Sequence, residues 1–505
     1  MMDQRTSGVL LHPTSLPGPL PIGNIGPSAF QFIDLLEEMR QGLWQVLPLY
    51  PTGYGDSPYA PLSAFAGNPL LISPERLSEM GLIDARDIPK KGASPVAVDY
   101  PTAKKTLSRL YKKAYHAFFS SAPGPHQKRM AAFCHKNKSW LDDFSLFMTI
   151  KEHHRHIAWF KWPAPLRLRE EKALKDIKEK LHDSIRYHSF LQFLFHEQWT
   201  ALKAYANGKG IRIIGDNPIY QAHDSADVWA HPELFLLDRE HRPLFVAGVP
   251  PDCFSKTGQL WGNPLYNWDY HKKTHYAWWK QNLQASLDMT DYVRIDHFIG
   301  FVRYYMIPYG QKTAEHGQWN EKGPGISFFR ELKKHFGALP LLAEDLGATT
   351  KAVLDVKVKM GFPGMKILQE AFDGNPRHPF LPHNYTRDFL VYTGTHDTQT
   401  TRTAIERMSE KNRRFMSAYL NAASGESSKD LLWRLIALAL SSVANMTLFP
   451  LQDLLGLGAE ARMNLPGTIG KNWTWRYQAH QITPRVIKKM RDLTERYGRS
   501  NESSL

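Results

Sequence analysis

Eight short apolar runs, separated by longer stretches of helical periodicity, restrict the fold of this sequence more than any other feature. The runs lie at 8–11, 43–49, 211–216, 293–296, 341–344, 365–368, 389–392 and 446–449. Strands that alternate with helices indicate parallel βαβ units. Eight such units predict an α/β fold, a closed (β/α)8 TIM barrel.

The connections between these runs are uneven in length. A minimal barrel uses about 31 residues per βα unit, whereas residues 50–210 separate the second run from the third. Large apolar residues recur there at three- and four-residue steps, which predicts a helical insertion at about 70–200, after the second strand. A second long connection, about 217–288, is rich in Pro, Gly and Trp and is predicted to be a loop subdomain over the barrel mouth. The whole chain, 1–505, is predicted to be a single barrel domain.

Three carboxylates lie at or shortly after the ends of three of the runs: Asp296 and Glu344 end theirs, and Asp397 follows the run at 389–392. A (β/α)8 barrel assembles its active site from residues at the ends of several strands. A pair of carboxylates is also the minimum that chemistry at a glycosidic bond requires. These three residues are therefore the candidate catalytic residues.

The neighbours of two carboxylates suggest different roles. Arg294 lies two residues before Asp296, so both side chains point to the same face of the strand. An arginine in contact with an aspartate favours the charged carboxylate, which suits a nucleophile; the alternative is an ion pair that only braces the barrel. Burial and a nearby anionic Asp296 would raise the pKa of Glu344, as a general acid requires. Asp345, on the opposite face, is assigned a loop or helix-capping role.

The remaining acidic residues are more ambiguous from sequence. Gly394 permits close approach of the backbone before His396 and Asp397. Asp397 is a candidate to stabilise positive charge at an anomeric carbon and His396 a candidate donor to a sugar. An ordinary loop is the better explanation for a lone His-Asp pair, but its occurrence together with the other two carboxylate segments favours a site. Asp216 is either a fourth sugar-site acid or a cap for the turn before Pro218.

Composition argues against several other functions. The net charge is +14 and the pI about 9.4, but no nucleic-acid-binding motif accompanies the basic residues, so we expect a solvated basic surface and no nucleic-acid partner. The two cysteines, Cys134 and Cys253, form no disulfide framework. The start of the chain has no apolar signal core. The most apolar stretch, 435–449, is shorter than the ~20 residues of a membrane span. We expect a cytoplasmic protein that does not bind a membrane.

No cofactor is expected. The cluster 152–156, Glu-His-His-Arg-His, fits no zinc spacing, so no metal site is predicted. The sequence also contains no phosphate-binding loop and no dinucleotide fingerprint.

Several long motifs resemble those of one enzyme family. They lie at 12–18 (HPTSLPG), 53–59 (GYGDSPY), 63–69 (SAFAGNP), 140–143 (WLDD), 215–216 (GD), 248–252 (GVPPD) and 258–266 (GQLWGNPLY), besides the three carboxylate segments. In this order they resemble, over nearly the full length, the 4-alpha-glucanotransferases of glycoside hydrolase family 77, which are also called amylomaltases or disproportionating enzymes.

The resemblance implies a retaining barrel enzyme of starch, glycogen or maltodextrin metabolism. Such an enzyme transfers an α-1,4-glucan segment from a maltodextrin to the 4-hydroxyl of an acceptor glucan or glucose, through a covalent glycosyl-enzyme intermediate. By motif match, Asp296 is implied to be the nucleophile, Glu344 the acid/base and Asp397 the transition-state stabiliser. The implied substrate-binding residues are Tyr59, Asp216, Trp261, Arg294, His396 and Asn464.

Two further residues bear on glucan binding. Tyr54 resembles part of a second glucan-binding site in some members. Cys253 departs from the larger or aromatic residue that many members carry, and Phe254 is the expected source of a ring there; this affects the expected acceptor preference and product size. We expect a monomer.

Other functions remain open from sequence alone. An α-1,4-glucan hydrolase uses the same carboxylates, because exclusion of water is what favours transfer. A glucan-binding protein without catalysis is a further alternative. For a retaining mechanism, we expect the carboxyl groups of Asp296 and Glu344 to lie about 5–5.5 Å apart with substrate bound.

Overall fold

A computed structural model describes residues 5–89, 96–120, 124–252 and 255–500. Its strands, in chain order, are β1 (Thr6–Leu10), β2 (Leu43–Gln45), β3 (Arg212–Asn217), β4 (Phe245–Val249), β5 (Gln259–Pro264), β6 (Tyr292–Ile295), β7 (Tyr304–Pro308), β8 (Gln318–Asn320), β9 (Leu341–Ala343), β10 (Gly364–Ile367), β11 (Phe389–Tyr392) and β12 (Met446–Pro450).

Eight of these strands form one parallel sheet. Their order is β10-β11-β12-β1-β2-β3-β6-β9, and each overlaps one of the eight runs identified in the sequence. The main-chain N–H of Ala343, in β9, donates to the carbonyl of Pro363, just before β10, at 2.9 Å. This bond joins the two ends of the sheet, and the predicted (β/α)8 barrel is confirmed.

The helices surround this barrel. They are α1 (Pro27–Glu38), α2 (Pro74–Glu79), α3 (Tyr100–Ser120), α4 (Pro125–Lys136), α5 (Lys138–His153), α6 (Ala164–Arg167), α7 (Glu171–Lys180), α8 (His182–Gly208), α9 (Ala226–Ala230), α10 (Trp268–Lys273), α11 (Ala277–Met289), α12 (Gly325–Phe336), α13 (Lys351–Met360), α14 (Thr401–Arg407), α15 (Glu410–Tyr419), α16 (Ser428–Ser441), α17 (Leu451–Leu454) and α18 (Pro484–Arg496). Helices α2 to α8 connect β2 to β3. The division of the chain into a barrel and two insertions stays a prediction.

A second, antiparallel sheet has the order β5-β4-β7-β8. Two of its strands come from the connection between β3 and β6, for which the sequence analysis predicted a loop subdomain and no strands, and two come from the connection after β6. Strand β5 was not evident in the sequence because most of its residues are partly exposed and a glycine interrupts the pattern. It carries Trp261.

Alternation along the strands explains the barrel interior. A compact cluster of buried side chains from β2, β3 and β9 to β12 fills it: Leu43, Ile214, Leu342, Met365, Leu390, Tyr392, Met446 and Leu448. Strand β6 contributes a charged residue instead, since Val293 and Ile295 pack in the outer core and Arg294 points to the other face. Among the described residues, no helix is long and apolar enough to cross a membrane.

Candidate active site at the barrel mouth

Arg294 joins two carboxylates at the C-terminal end of the barrel. Its Nη1 donates to both carboxylate oxygens of Asp216 at 2.7 Å and lies 3.0 Å from Oδ1 of Asp296. The guanidinium side chain is only 6% exposed, whereas that of Asp296 is 27% exposed. Asp296 is thus the member of this group that remains open to a ligand.

Asp216 is enclosed by its partners. Tyr59 Oη donates to its Oδ2 at 2.7 Å, and the carboxylate side chain is fully buried. Burial raises the pKa of Asp216, and the charge of Arg294 opposes that rise. Both carboxylate oxygens are therefore engaged with Arg294 and Tyr59, and the residue orients the arginine.

Glu344 follows β9 and lies in a buried position. Its Oε2 accepts from the main-chain N–H of His297 at 2.8 Å, and its Oε1 accepts from that of Leu346 at 3.0 Å. Burial is the largest cause that raises the pKa of Glu344 to about 8; Arg294 lowers it and Asp296 raises it further. This rise favours the protonated form of the carboxyl group.

His297 supplies a donor that the sequence did not reveal. Its backbone has left-handed angles, φ 46° and ψ 54°, which are uncommon outside glycine and cluster at functional sites. Its ring lies edge-on to Trp261, with centroids 4.9 Å apart, and burial lowers the pKa of His297 to about 4. The contribution to Glu344 comes from the main chain, so no residue type in the sequence could have indicated it.

Asp397 has the opposite electrostatic environment to Glu344. Its Oδ1 accepts from Asn464 Nδ2 at 2.6 Å, and its Oδ2 lies 3.3 Å from His396 Nε2. Burial alone would raise the pKa of Asp397, but His396 and Asn464 outweigh it and hold the pKa at about 2. Arg462, which sequence analysis missed, donates from Nη2 to the main-chain carbonyl of Asp397 at 2.8 Å.

Aromatic rings connect the two halves of this site. Tyr59 stacks on His396 with centroids 5.1 Å apart and planes inclined by 12°. Trp473, a residue that the sequence did not single out, packs 5.7 Å from Tyr59 and 6.1 Å from His396. The Tyr59 ring therefore links Asp216 to the segment that carries Asp397.

Two predicted glucan-binding residues lie more openly. Trp261 is 37% exposed and Tyr54 is 76% exposed, the latter in a 3-10 turn, Tyr54–Asp56. Cys253 and Phe254 lie outside the described residues. Within the described part of the chain, no group of three or more His, Cys, Asp or Glu side chains is arranged to hold a metal ion.

Comparisons with known proteins show the family of this chain. The family model described as 4-alpha-glucanotransferase matches residues 11–482. The chain belongs to the 4-alpha-glucanotransferase family. Similar relatives include the 4-alpha-glucanotransferases of Synechocystis sp., 47% identical over 99% of both chains, and of Thermus thermophilus, 46% identical over 97% of this chain and 98% of the relative.

A solved structure also matches nearly the full length. The amylomaltase from Streptococcus agalactiae, in complex with acarbose, superimposes with a TM-score of 0.95 at 40% identity, covering 99% of this chain and 100% of that one. The activity of this chain is therefore 4-alpha-glucan transfer.

Proposed function

We propose that this glucanotransferase acts by double displacement with retention of configuration. Asp296 attacks the anomeric carbon of the donor, the bond from that carbon to the leaving 4-oxygen breaks, and Glu344 gives its proton to that oxygen. The 4-hydroxyl of the acceptor then gives its proton to Glu344 and attacks the same carbon. The bond to Asp296 breaks, and the carboxylate is released.

One observation supports this assignment most strongly: the two carboxyl groups have unlike environments. Asp296 contacts the guanidinium of Arg294, as suits a charged nucleophile. Glu344 is buried and has a raised pKa, as suits a general acid. Once Asp296 is glycosylated, its charge is lost; the pKa of Glu344 then falls, and the residue can act as a base.

We further propose that Asp397 stabilises the positive charge that develops at the anomeric carbon. Its low pKa keeps it charged throughout the reaction. Tyr59, Trp261, His396 and Asn464 are proposed to contact the sugar at this site, and Arg294 to hold Asp296. Since the Asp216 carboxylate is fully buried, we propose that it acts on the glucan through Arg294 and Tyr59.

The substrates proposed are a maltodextrin donor and a glucan or glucose acceptor, with Tyr54 as part of a second glucan-binding site. We propose a cytoplasmic location, in keeping with two cysteines in 505 residues. We also propose that the protein is a monomer. The helices at about 70–200 and the segment at about 217–288 are proposed as insertions into one catalytic barrel, the latter over the active site.

The covalent intermediate can be trapped with α-maltotriosyl fluoride. Fluoride leaves without an acid, so the Glu344→Gln variant should become glycosylated and then be resolved slowly, for lack of a base. Mass spectrometry should show the protein heavier by one maltotriosyl unit, and peptide mapping should locate the unit on Asp296. An adduct on another residue would contradict the assignment.

The matched control is the double variant Asp296→Asn/Glu344→Gln, which should form no adduct. With the unaltered enzyme, maltotriose should give glucose and longer maltodextrins without an increase in total reducing ends. A steady increase in reducing ends would indicate that water, and not a glucan, resolves the intermediate.

A further inference from the structure

A fourth strand-end carboxylate, Asp453, lies beneath the loop that carries Asp397. It belongs to α17, directly after the eighth barrel strand, and is 1% exposed. Its Oδ2 accepts from the hydroxyls of Thr393 and Thr401, each at 2.6 Å, and its Oδ1 accepts from the main-chain N–H of Thr401 at 2.9 Å. Hydrogen bonds to a charged acceptor are shorter and stronger than neutral ones.

The two threonines mark the two ends of one loop. Thr393 follows β11 directly, Thr401 begins α14, and His396 and Asp397 lie between them. A single buried carboxylate therefore holds both ends of residues 393–401, so that neither can move without losing a hydrogen bond.

Packing within the loop leaves little room for adjustment. A Cβ added at Gly394 would lie 2.9 Å from Thr398 Oγ1 and 3.2 Å from Thr401 Oγ1. Near the middle of the loop, Asn464 donates its main-chain N–H to the carbonyl of His396 at 3.1 Å. The loop is thus fixed from below by Asp453 and from the side by the segment that contains Asn464.

The environment of Asp453 also indicates a role in this loop. Burial raises the pKa of Asp453, and the hydrogen bonds from Thr393 and Thr401 lower it. These threonines supply the hydrogen bonds that the structure records for its carboxylate. A buried carboxyl group has lost its hydrogen bonds to water. The carboxyl group of Asp453 therefore depends on the hydrogen bonds from Thr393 and Thr401, at the two ends of the 393–401 loop.

We infer that Asp453 is a positioning residue for glucan transfer: through Thr393 and Thr401 it sets the loop geometry that places the Asp397 carboxylate against the reacting sugar. The inference rests on the proposed role of Asp397. Misplacing a charge that acts mainly in the transition state lowers kcat more than it raises KM. A purely structural role would lower the melting temperature and leave kcat unchanged in the folded protein.

The test removes the hydroxyl groups without removing the buried carboxylate. Thr393→Val and Thr401→Val should each lower kcat for maltotriose disproportionation about tenfold, and the double variant about a hundredfold, with KM within about twofold of the original. The matched control is Thr447→Val. Thr447 is also fully buried, in the adjacent strand β12, and its hydroxyl has no hydrogen-bond partner in the described structure, so its kcat should change by less than about twofold.

Conservative variants separate positioning from simple loss of stability. Thr393→Ser and Thr401→Ser keep the hydroxyl and should restore kcat to within about threefold of the original enzyme. Each assay is made well below the melting temperature of that variant, with folding checked by circular dichroism. A double valine variant with unchanged kcat, or serine variants as impaired as the valine ones, would overturn the inference.

Asp397→Asn distinguishes this inference from the proposed function. If Asp397→Asn retains full transfer activity, the proposed role of Asp397 is wrong, and with it the reason for positioning the loop. If Asp397→Asn is inactive while the double valine variant is fully active, only the role of Asp453 is wrong.

Discussion

At the scale of single residues, the site depends on how three carboxylates with similar chemistry are given different environments. Asp296 meets the guanidinium of Arg294, Glu344 is buried and accepts two main-chain N–H groups, and Asp397 is held by His396 and Asn464. The pKa values of Glu344, about 8, and of Asp397, about 2, lie on opposite sides of the ordinary range. The proposed assignment of Glu344 as the acid therefore rests on its environment and not on its residue type.

The pKa of Glu344 leads to a prediction about pH. Glu344 is protonated below about pH 8 and loses its proton above it, so the first half-reaction loses its acid as the pH rises. We expect kcat/KM for maltotriose to fall about tenfold per pH unit above that point. Initial rates measured from pH 5 to 10 test this expectation.

α-Maltotriosyl fluoride provides the control for this pH profile. Its leaving group needs no proton, so kcat/KM for the fluoride should stay nearly constant through pH 8 while that for maltotriose falls. Equal alkaline losses for both substrates would show that another group, and not Glu344 as an acid, titrates there.

Much of the site was predictable at this scale, because strand periodicity places residues two apart on one face. That rule put Arg294 with Asp296, and the structure shows the pair in contact. It could not reveal the contact made by the main-chain N–H of His297. It also could not reveal the role of Asp453, which lies three residues after strand β12 in a short helix. Almost any residue type can donate a main-chain N–H, so the identity of the residue does not indicate such a contact.

At the scale of secondary-structure elements, the adjacent residues Glu344 and Asp345 bind different parts of the fold. Asp345 was assigned a loop or helix-capping role, but its Oδ2 accepts from Lys357, in α13, at 2.7 Å and its Oδ1 accepts from the main-chain N–H of Met365, in β10, at 2.7 Å. The side chains of Asp345 and Lys357 are 6% and 4% exposed. Asp345 thus ties a helix and a strand together immediately after Glu344.

This buried ion pair predicts a non-additive effect on stability. Asp345→Asn and Lys357→Met should each lower the free energy of unfolding by about 3 kcal/mol or more, because each leaves a buried charge without its partner. The double variant should lose less than the sum of the two, since no unpaired charge remains. The midpoint of urea unfolding measures these changes.

Helix α13 also offers a control for this prediction. Lys351 pairs with Asp355 in an exposed position, with side chains 86% and 44% exposed. Lys351→Met should change the free energy of unfolding by less than about 1 kcal/mol. Additive losses from the two buried variants would mean that Asp345 and Lys357 stabilise the fold independently of each other.

At the scale of the whole molecule, the barrel brings distant parts of the chain together. Strand β1 pairs with β12, and fully buried Arg499 donates to five main-chain carbonyls at the N-terminal end of the barrel: those of Thr6, Leu440, Ser442, Ala444 and Asn445. The residues of the active site lie at the opposite, C-terminal end of the strands. Stability and catalysis are thus served by opposite ends of one barrel.

This separation predicts that Arg499→Met lowers stability and leaves catalysis intact. The variant leaves several buried carbonyls without donors, so the free energy of unfolding should fall by about 3 kcal/mol, while kcat for maltotriose at 25 °C stays within about twofold. Calorimetry and initial rates measure the two effects. Arg485→Met, at an exposed position of α18, is the control and should change neither quantity.

The barrel and most of the charged residues at its mouth could be predicted from the amino-acid sequence. Backbone geometry sets the side-chain periodicity of strands and helices. Burial of one face then makes the apolar residues follow that periodicity, so the sequence shows which segments are strands and which are helices. Three features became visible only in the three-dimensional fold: the main-chain N–H groups of His297 and Leu346 that hold Glu344, the second sheet of β4, β5, β7 and β8, and the contact of Asp453 with the loop of Asp397. These features depend on burial and on hydrogen bonds between residues far apart in the chain, and the sequence around each residue does not specify them.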